Sequence, residues 1–359
     1  MKIKARQKDV FGRRVRLVLC LCLGLVGFSA VSAFPPALAA TGSKVTVTQA
    51  VSKDHLPLLT LKSVPSPESL QDFTRRTIRK LSADAPFTAW ADAGTEYFPL
   101  GPGTHGWLVN VLNGDQRIGY LVISATEQGG YMLSEYGAGS YGLPYSLQDL
   151  RQFLVQQELI PSAYSGKLEL TALYAPLLPL WKLTTDQTTL YINASVLQVM
   201  PWSPSQAEAV LTRTLDGASS LSSLDTGRSP LRAYRSGGQD DPYADLLWLT
   251  APSLKSVSGD SLAALLAASG SLAFQAAGRN DTLGAPFMVT GYQSWRLTSS
   301  GSKDDSSRPA IVYALSGPEG RRYLPLAVLL EKGTFHKLPS SGNPVPSTTV
   351  AKTAHSNGK

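Results

Sequence analysis

Few residues in this 359-residue chain combine the type and the spacing needed for chemistry. Glu135 is the most unusual, a carboxylate in the otherwise apolar stretch YMLSEY, where strand alternation carries it onto the face of Trp107 and Val122. Desolvated there, its carboxyl would rise in pKa and could act as a general acid. The competing placement is the strand end, with Glu135 reaching solvent or an arginine of a nearby helix. No second acid or histidine has an evident place beside it, as acid–base hydrolysis requires. The four histidines, His55, His105, His336 and His355, are scattered along the chain, and His105, in a Gly-rich strand entry, reads as structural. Gly137, Gly139 and Gly142 follow a strand but precede Leu143-Pro144 rather than a helix carrying Lys-Ser/Thr, so they fail as a nucleotide cradle. Asp240-Asp241 are adjacent acids in a Ser/Gly loop and lack the alternating ligand spacing of a calcium loop. No Gly-x-Ser-x-Gly, His-x-x-x-His or Ser-x-x-Lys occurs with supporting context. The residues therefore point to no metal and no cofactor.

Two groups could bind rather than react. Arg75 and Arg79, with Arg76 and Lys80, gather on one side of a helical stretch, either as a solvated face or as a site for an anionic wall polymer or lipid headgroup. Trp90 and Tyr97 lie close to Phe87 and Phe98 in the irregular connection 84–103, where they either pack under a sheet or form a sugar-stacking platform.

The N-terminus decides where these residues work. Seven Lys/Arg and one Asp precede the apolar run Leu17–Phe34, and Ala37-Leu38-Ala39 supplies small residues at alternate positions. This is the build of a secretory signal peptide over 1–39, cleaved after Ala39. Left uncut, the run would anchor the chain in a membrane with the remainder facing outside. Cleavage removes Cys20 and Cys22, so the exported chain would hold no disulfide, thiolate nucleophile or Cys-ligated zinc. Of 33 Lys+Arg and 26 Asp+Glu, 26 and 25 remain, a net charge of +1. That removes the compositional case for nucleic-acid binding, and beyond the signal segment there is no case for a membrane.

The elements that must position the candidates read as α+β: two small domains, each an antiparallel sheet with one or two helices packed on it. A leader (40–65), polar with a short apolar run at Leu56–Leu61, precedes the first domain (66–215). Ser66-Pro67 starts a helix that turns Leu70, Phe73, Thr74, Thr77, Ile78 and Leu81 to the core. A three-stranded meander occupies 103–142. Asn113-Gly114 as a type I′ turn sets Val109 opposite Ile118 and Trp107 opposite Tyr120. Tyr131, Leu133 and Glu135 then continue that face. A helix capped by Ser146 follows, then strands at 168–174, 179–184 and 188–199, with Pro176 and Pro179 confining the first two to edges or separate short pieces. A helix over 204–215 leads into a Ser/Gly/Asp-rich linker (216–242). The second domain (243–338) has a helix capped by Ser258 or Asp260, strands near 271–275, 286–297 and 309–315, and the apolar run Tyr323–Leu330. Residues 339–359 read as a disordered tail.

Trp181-Lys182-Leu183, a turn, and Tyr191-Ile192-Asn193-Ala194-Ser195 with Val199 resemble the C-terminal hairpin of PepSY-type modules, small α+β units of secreted peptidase propeptides and envelope proteins. Asn193 and Val196-Leu197 stand where that family usually has Asp and Thr-Gly. The run GYLVISATEQGGYMLSEYGAG is similar to uncharacterised exported proteins of spore-forming Gram-positive bacteria, which implies a cystatin-like helix-on-sheet fold and no established activity. Val289-Thr290-Gly291-Tyr292 has a faint likeness to papain-like C39 peptidases, and without cysteine such a relative would be dead as a thiol enzyme. Together these readings imply a secreted or cell-envelope, non-catalytic protein that binds or modulates another protein, such as an extracellular peptidase, or a wall polymer. The alternatives are a carboxylate-based extracellular hydrolase built on distant acids and a structural envelope component.

Overall fold

In a computed structural model, the described residues are 59–61, 63–102, 106–126, 129–161, 164, 168–215, 227–277, 284–297 and 310–338. The signal segment, the leader to residue 58, His105, Glu127, the loop 298–308 and the tail from 339 lie outside them.

Helix α1 (Glu68–Leu81) forms where apolar spacing expects it and buries Leu70, Thr74, Thr77, Ile78 and Leu81. Its N-cap is Pro67 rather than Ser66, whose Oγ instead accepts from Gln71 Nε2 at 3.1 Å. Residues Gly94–Leu100, expected to be irregular, form strand β1, antiparallel to β2 (Gly106–Asn113). Strands β3 (Gln116–Ala125) and β4 (Tyr131–Ala138) complete the meander.

Its register differs from the one expected. The two turn residues are Gly114-Asp115, with Asn113 opposite Gln116, and a bulge at Ile118 then adds one residue to β3. Val109 consequently faces Leu121 and Trp107 faces Ile123. An odd offset moves every side chain of a strand to the other face. A second irregularity leaves Ser134 unpaired between Leu133, opposite Ile123, and Glu135, opposite Val122. Leu133 and Glu135 thus leave opposite faces of β4, although they are two residues apart.

Beyond β4 the chain forms α2 (Leu147–Gln156), whose Ser146 cap accepts from Asp149 N at 3.2 Å. A four-stranded antiparallel sheet follows: β5 (Glu169–Ala175), β6 (Leu178–Thr184), β7 (Thr189–Asn193) and β8 (Gln198–Val199). Pro179 lies inside β6, an interior strand, opposite Tyr174 near the hairpin end, so the expected restriction to edges holds for β5 alone. Helix α3 (Pro204–Leu215) ends this half.

The expected division into two small domains is not confirmed. Within 216–242, β9 (Arg228–Pro230) and β10 (Tyr234–Arg235) both pair with β12 (Phe287–Leu297). Around β12 lie β11 (Leu272–Ala276), β13 (Ile311–Ser316), β14 (Arg322–Pro325) and β15 (Gly333–Lys337). Strand β14 pairs with β4, so the meander and the C-terminal strands form one 11-stranded sheet with the main order β1-β2-β3-β4-β14-β13-β12-β11-β15. Backbone pairing across the expected boundary overrides the compositional break, because Ser/Gly richness marks only local chain preference. Helices α4 (Gly259–Ser269) and α5 (Leu326–Lys332) cover the C-terminal strands, and Ser258 with Ser261 makes a capping box at the start of α4.

Each face of the meander carries its own core. On one, α1, Phe87 and Trp90 pack on Val109, Val111, Leu121, Ile123 and Tyr136, and the cluster runs on to Trp295, Tyr313 and Tyr323. On the other, Leu108, Tyr120 and Val122 pack against Leu150 and Leu154 of α2 and Trp181 and Ile192 of the small sheet. Full burial of such side chains contributes roughly 1.5–3 kcal/mol each. Among the described residues no helix is long and apolar enough to cross a membrane.

Candidate functional site

Glu135 lies neither at an exposed strand end nor beside a helix arginine. It has no solvent exposure, and its carboxylate is held bidentately by Arg322 at the start of β14, Nε to Oε1 at 2.6 Å and Nη2 to Oε2 at 2.9 Å. The Tyr120 hydroxyl donates to Oε1 at 2.5 Å, and the Tyr174 hydroxyl, from the small sheet, donates to Oε2 at 3.2 Å. Arg322 Nη2 also donates to the Leu177 carbonyl at 3.2 Å. The bulge at Ser134 turns Glu135 to this face, and the pairing of Arg322 with Gly137 brings the guanidinium to it.

The electrostatics follow from this geometry. Burial alone would lower the Arg322 guanidinium, but the adjacent Glu135 outweighs it, so Arg322 is held above its ordinary value and stays charged. Tyr120 and Tyr174 are pushed well above theirs, first by burial and then by the Glu135 charge, so both hydroxyls keep their protons and donate. A carboxylate with four donors and no solvent exposure joins the two sheets, and the four donors occupy both of its oxygens. Sequence reasoning missed Arg322, Tyr120 and Tyr174. The available signal was a strand glutamate and an arginine at the head of an apolar strand, both of which need a partner once buried.

The other candidates do not converge on Glu135. Trp90 is 1% exposed, its Nε1 donating to the Ile118 carbonyl at 3.3 Å, so it is a core residue and not a sugar platform. It packs so closely that a Cβ on Gly119 would lie 2.2 Å from its ring. Arg75, paired with Asp72, and Arg79 stand exposed on α1. His336 is buried, with Nδ1 2.9 Å from the Ala251 carbonyl and Nε2 3.2 Å from Thr334 Oγ1. Asp240 accepts from Glu319 N, and Asp241 from Tyr243 N. Among the described residues no group of three His, Cys, Asp or Glu could hold a metal ion.

Tyr97 is placed differently. It is half-buried on β1, the terminal strand of the main sheet. Just past the strand, Gly101 pairs in parallel with β5, its N–H donating to the Ala172 carbonyl at 3.0 Å and its own carbonyl accepting from Tyr174 N at 2.8 Å, while no described strand pairs with Gly94–Leu100 on their outer side. A groove of about 600 Å3 runs there, lined by Thr95, Glu96, Tyr97 and Phe98 of the strand, Leu147 of α2, and Leu59, Leu61 and Pro65 from the segment before α1. Pro99 cannot donate to β2, which suits a position whose N–H side faces outward. By the period of two, Thr95 and Tyr97 then also direct their backbone N–H and C=O to the open edge.

Comparison of the chain with protein-family models, curated proteins and solved structures found no match.

Proposed function

We propose that this chain is an exported, non-catalytic binding protein, secreted or held at the cell envelope, that takes an extended segment of another protein as an added strand along the outer edge of β1. The observation that carries the reading is the groove at that edge. It offers backbone donors and acceptors at Thr95 and Tyr97 beside an apolar wall of Leu59, Leu61 and Phe98. Strand addition uses these two ingredients: main-chain hydrogen bonds for affinity and pockets for alternate side chains for specificity. The burial of Glu135 supports a role in assembly for the residue with the best claim to acid chemistry. Export rests on the basic and apolar segment 1–39, and the likeness of the β6–β7 hairpin to PepSY-type modules favours a partner such as an extracellular peptidase.

The test is site-specific photo-crosslinking with p-benzoylphenylalanine at position 97 in the full chain, produced in a secreting host, with position 330 as an exposed control. The expected result is one partner, crosslinked from position 97 through a continuous extended segment and lost in a Thr95→Pro variant. No crosslink specific to position 97, or one that survives Thr95→Pro, sinks the reading.

A further inference from the structure

A second groove, of about 540 Å3, opens where β3 and β4 meet the turn preceding β14. One wall is apolar, built by Pro86, Ala89 and Ile118. The other carries two guanidiniums and one carboxylate: Arg235, Arg321 and Glu319. Arg235 is fixed by the turn, with Nη1 donating to the carbonyls of Glu319 and Gly320 and Nη2 to the Tyr323 hydroxyl at 3.1 Å. Arg321 lies over the Tyr141 ring, 3.8 Å from its centroid, and its Nη2 donates to Glu319 Oε2 at 2.6 Å. The Gly-rich run after β4 makes room for this arrangement. Gly139 has φ of +136°, and a Cβ there would lie 2.8 Å from Arg321 Nη1. Glu319, on the rim, holds φ of 54°, a left-handed conformation uncommon for a non-glycine residue and shared here by Tyr145, Glu158, Leu177 and Leu197.

We infer that this groove binds a small ligand with an apolar stem and a terminal carboxylate, the stem against Pro86, Ala89 and Ile118 and the carboxylate on Arg321 in place of Glu319. The volume is that of a small-molecule site. An arginine stacked on an aromatic ring, with Nε and Nη2 both donating to one carboxylate oxygen, at 3.2 and 2.6 Å, is held in place to receive another carboxylate. The Glu319 side chain is 67% exposed, so its ion pair is worth little and is given up at small cost. An acyl chain and the last residues of a peptide share this chemistry. The inference is independent of the β1 edge.

The experiment titrates octanoate and N-acetyl-leucyl-leucine, each against its own amide, into the full chain while following the Trp90 indole N–H by 1H–15N NMR. A saturable shift is expected with an acid, at least tenfold weaker with the matching amide. Which acid binds separates the acyl chain from the peptide end. Arg321→Gln is expected to weaken binding at least tenfold, and Glu319→Gln, by removing the competing carboxylate, to strengthen it severalfold. Because Glu319 is exposed, that variant keeps the test open if Arg321→Gln misfolds. No saturable shift with either acid, equal binding of acid and amide, or no gain in Glu319→Gln overturns the inference.

Discussion

Replacing Glu135 by Gln leaves the shape of the buried cluster nearly intact and removes its negative charge. Arg322 then remains charged in a site where its side chain is only 10% exposed, facing an amide that offers one acceptor where there were two carboxylate oxygens. Breaking a buried ion pair from one side costs about 3–5 kcal/mol, most of it from the uncompensated charge left behind. With an m-value of about 3 kcal/mol/M, the urea midpoint at pH 7 should fall by about 1–1.7 M. Arg322→Gln should cost a similar amount. In the double variant Glu135→Gln/Arg322→Gln neither charge remains, and an amide oxygen can still accept from Tyr120 or Tyr174, so it should lose no more than the worse single variant. The cycle therefore carries a coupling energy of roughly the size of one single loss. Measurement by urea unfolding followed by tryptophan fluorescence would refute the reasoning if Glu135→Gln cost under about 1 kcal/mol or if the two single losses simply added.

Alkaline stability gives a second prediction. Tyr120, Tyr136, Tyr145, Tyr174 and Tyr313 are all raised, in each case chiefly by burial. Protons are held by the folded state and released by the unfolded one above pH 10, so stability is full below pH 10 and falls as pH rises, by up to about 1.4 kcal/mol per pH unit for each tyrosine. Absorbance at 295 nm should show these five silent until the chain unfolds, and a full tyrosinate signal from a still-folded protein at pH 11 would contradict this. Gly119→Ala places a Cβ 2.2 Å from the Trp90 ring and 2.7 Å from the Gly137 carbonyl; it should cost about 1–3 kcal/mol and shift the Trp90 indole resonance, and an unchanged urea midpoint would count against the packing.

The elements legible in the sequence are those with a local signature. Leu70, Ile78 and Leu81 recur at helical spacing, Ser146 and Ser258 are caps, and the alternating run around Val122 is a strand. The mixed α+β class follows from these. Strand β1 escaped because Pro99 and crowded aromatics mask its alternation, although the edge position that tolerates the proline is also what leaves it open. The faces of the meander were misassigned because two irregularities, at Ile118 and Ser134, shift parity, and only packing such as Trp90 on Gly119 fixes where they fall. The Glu135–Arg322 pair spans 187 residues: each end shows a charge that needs a partner once buried, and neither shows which partner it meets. In the sequence Tyr97 is one aromatic among several; its place on a stretch of edge that no described strand pairs with is a property of topology.

The seam between β4 and β14 has a consequence for how the molecule is made. Tyr136 meets Tyr323 across it, so the first half of the sheet cannot close until almost all of the chain exists. At ordinary synthesis rates of about 5–20 residues per second, some 10–40 s separate the two residues. Through that interval β4 has an open edge, Glu135 has no cation, and Tyr136 has no stacking partner. Long-range closure of this kind is slow and leaves strand edges exposed to aggregation. A chain cut short before residue 322 would lack the partner strand and the compensating charge together, so truncated products should fail as a whole instead of persisting as a stable half.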